Sequence, residues 1–452
     1  MKIKRSLVLL LVLTMVLSLF AACGSKDTSS NDSTNDSTNT DTSAENNTST
    51  EEDNTEEVSS DDEKVTLSVL AGQSTTDAGI EDMIDEALAK KYPNITLEWE
   101  CVDWGKDFQP KMQQYIQSGL PDIMVGKAQD IATYGSQGLL ADLTGKDYLS
   151  NVLDEAIPGV TIDGKVYGIV YNALYQGVYY NRQIFEENNL EVPDTLEELQ
   201  AIIDKLNSLN ITPFATHFVD TWSIGNITMQ FAINEVFSKT PDWGDKFRAG
   251  EVSFIDSPEY GRAYEYNKLV YDNTWKDETF SLEQTDCDAR LVLGEAAMKV
   301  SGSWSIQNFL DIDENFDFGI FPFPNSTGDA KLIFEPNMTW MASATSEHLD
   351  AVDKVFEVLT GDKDLALEIF NYTKTSSMIK DVSPTYPNPS QKDIDKYVAE
   401  GRIIDANIGN NQLQWGGFQD ENAKDIAAWL QGDITLEDAL KAADSRRENS
   451  KP

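Results

Sequence analysis

From Lys64 onward the sequence alternates between two hydrophobic periods, and that alternation leaves few architectures open. "KVTLSVLAG" alternates in hydrophobicity and is rich in β-branched residues, so it reads as a strand. "GIEDMIDEALAKKYP" then sets Ile80, Met83, Ile84, Ala87 and Leu88 on one helical face. "ITLEWECV" is strand-like again, "DFQPKMQQYIQSG" is helical, and "PDIMVG" is a short buried strand. Strand–helix–strand–helix–strand predicts an α/β domain with a mostly parallel sheet. Ligands of such sheets sit beyond the carboxyl ends of the strands. That points to the residues after "LSVLA" and after "DIMV".

The chain before Lys64 has a different character. Lys2, Lys4 and Arg5 precede the apolar run "SLVLLLVLTMVLSLF", which ends at Ala21-Ala22-Cys23-Gly24. This is signal-peptide architecture over residues 1–22, shorter than the roughly 20 apolar residues a spanning helix prefers. "AACGS" also resembles the lipobox of bacterial lipoproteins, with Phe20 where that family usually has Leu. The resemblance implies cleavage before Cys23 and diacylglycerol on its thiol. Several acyl chains anchor stably, at about 0.8 kcal/mol per buried CH₂. Residues 23–63 are then the lipidated Cys and a tether of Ser, Thr, Asn and acids, too poor in apolar surface to fold. Flexible-chain scaling gives the tether a span of roughly 30–40 Å. It suits a domain held out on the extracellular face of a Gram-positive-type cell membrane.

Charge excludes several function classes. With 77 acidic against 35 basic residues and a net charge of −42, the chain has no footprint for nucleic acid. Contact with anionic lipid is disfavoured too, which leaves the lipid anchor as the only membrane contact. Three Cys and two His make neither a disulfide scaffold nor a His-rich metal site. Whether Cys101 and Cys287 pair is open. No G-x-S-x-G, H-E-x-x-H or P-loop occurs. "DIDENF" begins like a calcium loop, but Phe316 stands where the turn requires Gly. No catalytic residue, metal or cofactor is expected.

A second set of elements follows. "GKVYGIVYNALYQGVYYN" holds two strand-like runs, and "VPDTLEELQAIIDKLNSLN" is a helix whose Thr195 and Glu198 form a capping box. "TSEHLDAVDKVFEVLTG" and "DITLEDALKAADSRR" are amphipathic helices. Five blocks in order, "GLPDIMVGKAQDIATYGSQGLLADLT", "GKVYGIVYNALYQGVYYNRQIFEENNLEVPDTLEELQ", "GEAAMKVSGSW", "FGIFPFP" and "WLQGDITLEDALKAAD", resemble the extracellular solute-binding proteins of ABC transporters. The subgroup resembled is the oligosaccharide-binding, maltose-binding-protein-like one. The resemblance implies an α/β, two-lobed periplasmic-binding-protein-like fold. Each lobe would be a mostly parallel sheet flanked by helices, and the hinge would have two or three crossings. These are expected near 172–177, 322–326 and 378–383. The N-terminal lobe is then 64–172 plus 326–378, and the C-terminal lobe 177–322 plus 383–452.

A sugar needs flat aromatic surfaces for its C–H faces and planar amides or carboxylates for its hydroxyls. Trp304 follows the strand "AAMKV" and the small residues Ser301-Gly302-Ser303, which would admit a ligand to the backbone. On sequence alone its ring is either core or platform; the resemblance makes it a platform. Trp222, with His217, is expected in a loop after "TPFAT", and Trp415 with Gln414 in a polar loop before the last helices. The resemblance places a sugar-binding acid in the loop after "DIMV", where this chain has Gln129 and then Asp130. Asn172 lies at the first crossing, Gln73 and Ser74 follow the first strand, and Asn337 accompanies Trp340, whose ring reads as core.

The expected function is capture of an oligosaccharide or other sugar between the lobes by a monomer, and its delivery to ABC permease subunits. The alternatives are a non-sugar solute such as a peptide or polyamine, a surface glycan-acting enzyme, or an adhesin.

Overall fold

The computed structural model describes residues 63–72, 79–103, 107–408 and 418–450. The signal segment, Cys23 and the tether up to residue 62 lie outside the described residues, as do Gln73, Ser74, Trp104, Gln414 and Trp415.

Strands β1 (Val65–Gly72), β2 (Ile95–Val102) and β3 (Ile123–Gly126) form where the alternation predicts them. β1 pairs in parallel with both β2 and β3. The crossover helix Ile80–Lys91 buries Ile80, Ile84, Ala87 and Leu88. Helix Leu196–Ser208 starts at the predicted box: the Thr195 hydroxyl accepts the Glu198 N–H at 3.2 Å, and the Glu198 carboxylate accepts the Thr195 N–H at 3.0 Å.

A small hairpin, β4 (Thr161–Ile162) and β5 (Lys165–Val166), precedes the longest strand, β6 (Ile169–Asn181). β7 (Thr212–Phe214), β8 (Ala296–Gly302), β9 (Phe318–Phe321), β10 (Leu332–Ala342), β11 (Ser376–Ser377) and β12 (Ile403–Asp405) complete the set. The main sheet runs β2-β1-β3-β10-β6-β8-β7, with β11 and β9 on β6 and β12 on β10. β7 lies parallel to β8 and β12 parallel to β10, whereas β6 and β10 run antiparallel to each other and to most of their neighbours. The sheet is therefore mixed.

Two separate hydrophobic cores divide the molecule into lobes. One holds β1–β3, the helix Ile80–Lys91 and the helices over 349–373; the other holds β7–β9 and most helices between 182 and 443. The long strands belong to both. β6 leaves the first core at Ala173 and enters the second at Val178. β10 leaves the second core at Ile333 and enters the first at Met338. This second passage lies beyond the expected 322–326, because "NSTGD" is spent on a tight turn. Ser326 donates both its N–H and its hydroxyl to the Glu235 carboxylate, and the Asn234 amide donates to the Lys331 carbonyl. The chain passes back once more between Val382 and Ile394. Gly177 sits at a close approach in β6, where a Cβ would lie 2.7 Å from the Phe321 carbonyl oxygen. No described helix is long and apolar enough to cross a membrane.

Candidate functional site

β8 ends on Gly302, and Ser303–Ser305 turn the chain into helix Ile306–Ile312. Ser303 fixes this turn to β6. Its hydroxyl accepts the Tyr175 N–H at 2.9 Å and donates to the Tyr175 carbonyl at 3.2 Å. The Ser301 and Ser305 hydroxyls hydrogen-bond across the turn at 2.9 Å. Trp304 folds back over the end of its own strand: a Cβ at position 302 would overlap indole carbons Cζ3, Cε3 and Cη2. At Gly302 the space beside the backbone is filled by the indole.

Trp222 stands 6.5 Å from Trp304, ring centroid to centroid, at 73°. It lies in the first turn of helix Thr221–Ala232, where a loop was expected. His217 packs edge-on against Trp222 at 5.4 Å. The Ser223 hydroxyl donates to the His217 carbonyl at 2.6 Å and holds the approach to the helix. Three of the predicted aromatic residues, His217, Trp222 and Trp304, therefore come together. Among the described tryptophans, Trp243 and Trp340 are buried in a core, and Trp99, Trp275 and Trp429 pack against one. Trp222 and Trp304 belong to neither core and are partly exposed.

The electrostatics behind this aromatic group are unusual. His217 is 4% exposed, and neither ring nitrogen has a hydrogen-bond partner among the described residues. Burial first, and the Lys299 charge second, lower its pKa to about 3, so the ring is neutral near pH 7. Lys299 is itself buried and ion-paired with buried Asp288, which also accepts the Asn308 amide at 2.8 Å.

The other lobe supplies the loop after β3. Asp130 is buried and serves its own helix, Ala128–Ser136. Its carboxylate accepts the Lys127 N–H at 2.8 Å and the Gln109 amide at 3.1 Å. Burial raises its pKa despite these bonds. Gln129 is 6% exposed with neither amide atom partnered among the described residues. Asn172 and Asn337 face each other across β6 and β10. Asn172 donates to the Thr375 hydroxyl at 3.1 Å, and its Oδ1 has no partner among the described residues; Asn337 accepts the Met338 N–H at 2.7 Å.

Sequence reasoning missed the polar groups between these two sets. Lys127 is 3.2 Å from the Glu335 carboxylate, whose other oxygen accepts the Gln176 amide. Glu335 is 3% exposed. The available signal was a charge inside the apolar strand "LIFEPNMTWMA" and an amide in "IVYNALYQGVYYN". Among the described residues, no group of three or more His, Cys, Asp or Glu side chains is placed to hold a metal ion.

Residues 83–396 match the family described as bacterial extracellular solute-binding protein. A protein named multiple sugar-binding protein, from Streptococcus mutans, is 23% identical over 308 residues, covering 67% of this chain and 72% of its own. The solved structure of a chitin oligosaccharide binding protein superposes with a TM-score of 0.72 at 19% identity, over 86% of this chain and 99% of its own. A solute-binding protein called RafE, solved with raffinose, gives 0.71 at 17% identity, over 86% of this chain and all of its own (100%). These two structures share the fold.

Proposed function

We propose, from the premise that this chain belongs to the bacterial extracellular solute-binding proteins, that it captures a carbohydrate between its lobes and passes it to the permease of an ABC transporter. The observation that carries this reading is the pair Trp222 and Trp304. Two partly exposed indoles outside both cores, 6.5 Å apart at 73°, make a shelf for the C–H faces of a pyranose. Gln129, whose two amide atoms have no partner among the described residues, and the Oδ1 of Asn172, likewise without one there, are hydrogen-bonding groups of the kind a sugar's hydroxyls satisfy. His217, Asp130, Asn337, Gln73, Ser74, Gln414 and Trp415 complete the proposed site. Relatives named for multiple sugars, chitin oligosaccharide and raffinose support a carbohydrate.

A cationic solute such as a polyamine fits less well. The buried carboxylates Asp130 and Glu335 are already engaged, by Gln109 and the Lys127 N–H and by Lys127 and Gln176. The family is one of binding proteins, and we assign this chain no catalytic step. We place the lobe boundaries where the cores change, with one lobe over 64–173 plus 338–382 and the other over 178–333 plus 394–452. Cys23 is the proposed site of lipidation, holding a monomer at the outer face of the cell membrane.

A thermal-shift screen against neutral oligosaccharides, polyamines and short peptides tests the reading. A sugar that raises the melting temperature and reduces the radius of gyration in small-angle scattering is the expected result. Stabilisation by a polyamine or peptide with no response to any glycan would overturn it.

A further inference from the structure

A continuous chain of polar side chains crosses the molecule from one lobe to the other. It starts at Lys127, next to Ala128 of the first core, and reaches Glu335 on β10 at 3.2 Å. Glu335 bonds Gln176 on β6. The Gln176 Oε1 meets the Asn226 amide at 3.5 Å, and the Asn226 Oδ1 accepts the Gln230 amide at 2.9 Å. Gln230 also donates to the Ser301 carbonyl at 3.4 Å, three residues before Trp304. Asn226 and Gln230 lie on the helix that carries Trp222.

The position of the two middle members is what gives the chain meaning. Gln176 lies between Ala173 and Val178, and Glu335 lies between Ile333 and Met338. These are the stretches over which β6 and β10 change cores, so any rotation of one lobe against the other bends the strands there. Both outer links, Lys127–Glu335 and Gln176–Asn226, then span the bend. The links are unequal. Glu335 is 3% exposed, and a carboxylate so buried is strongly disfavoured without a charged or hydrogen-bonding partner. The amide contact at 3.5 Å is at the outer limit of hydrogen-bond geometry.

We propose that the chain Lys127–Glu335–Gln176–Asn226 is a latch that sets the resting angle between the lobes, with Gln176–Asn226 the link that yields first. It rests on the hinge in the functional reading but not on the identity of the solute. Its test uses ligand-free protein, so it can fail while the sugar-binding reading stands, and the reverse.

The test is single-pair energy transfer in the full chain. Fluorophores are attached through non-canonical amino acids at Glu197 and Asp350, exposed positions on helices of opposite lobes. The distance distribution is compared among wild type, Lys127→Met, Asn226→Ala and the double variant, with melting curves to establish folding. A latch predicts that both single variants move the distribution in the same direction. It also predicts that the double variant moves it less than the sum, because a chain cut at one end is little changed by a second cut. Unmoved distributions, opposite movements or full additivity in folded variants would overturn the proposal. Asn226, half-buried on a helix surface, carries the test alone if Lys127→Met does not fold.

Discussion

The indole of Trp304 lies directly over Gly302, the last residue of β8 and two positions back along the chain, in space that any Cβ would occupy. In the proposed site the glycine and the tryptophan are one device: the first provides the seat and the second the shelf.

Trp304→Ala should weaken sugar binding by on the order of 1–3 kcal/mol, the scale of one buried apolar side chain. It should leave the melting of ligand-free protein nearly unchanged, since Trp304 lies in neither core. Trp243→Ala is the contrast, with a core loss of roughly 3–5 kcal/mol in stability. Gly302→Ala should lower affinity by displacing the indole and should add little in the Trp304→Ala background. Calorimetry and thermal melting read both; a collapse in stability with normal affinity would make Trp304 a core residue.

His217 should make stability depend on pH. Its pKa is about 3 in the folded protein against an ordinary 6.5, so over that interval the unfolded chain binds a proton that the folded one excludes. The contribution is complete above pH 6.5 and is lost as pH falls, by at most about 1.4 kcal/mol per pH unit. Asp130 and Asp405, raised by burial, act in the opposite sense. The difference between wild type and His217→Gln in urea unfolding at several pH values isolates the histidine. Parallel curves would refute a neutral buried ring.

Lys299→Met should destabilise the protein by about 3–5 kcal/mol, because it strands a buried carboxylate. Asp288 would retain the Asn308 amide at 2.8 Å and the Gln284 amide at 3.4 Å, which do not supply the charge. Replacing both partners with apolar residues, as Lys299→Met with Asp288→Leu, should recover most of the loss. Chemical denaturation measures each step.

Cys23→Ser should release the protein from the membrane fraction and abolish incorporation of labelled lipid. Equal labelling of wild type and variant would exclude the anchor.

Much of the fold was legible because its signals are local. Thr195 and Glu198 stand three residues apart and cap each other as the spacing requires. The first three strands and their crossover helix follow period-two and helical patterns inside short windows. Trp222 was harder. "DTWSIGN" has a glycine in what is its second helical turn, which lowers helix propensity. The reason for the glycine is non-local: Gln419, from a helix far along the chain, packs into the space at Gly225. The second passage between cores was misplaced for a similar reason. "NSTGD" has the composition of a linker, but Asn234 and Glu235, far away in sequence, pin it. Glu335 and Gln176 are 159 residues apart, and no window of sequence joins them.

The two long strands that serve both cores also constrain how the protein comes into being. The first core needs Met338 to Ala342 and closes only with Val382, while the second needs Ala443. A chain delivered from its N-terminus, whether by a ribosome or through a translocation pore, therefore presents most of its length before either core can be completed. The interleaving that makes these two strands the proposed hinge would also keep the nascent chain open until late, which is the state in which a polypeptide can be threaded across a membrane.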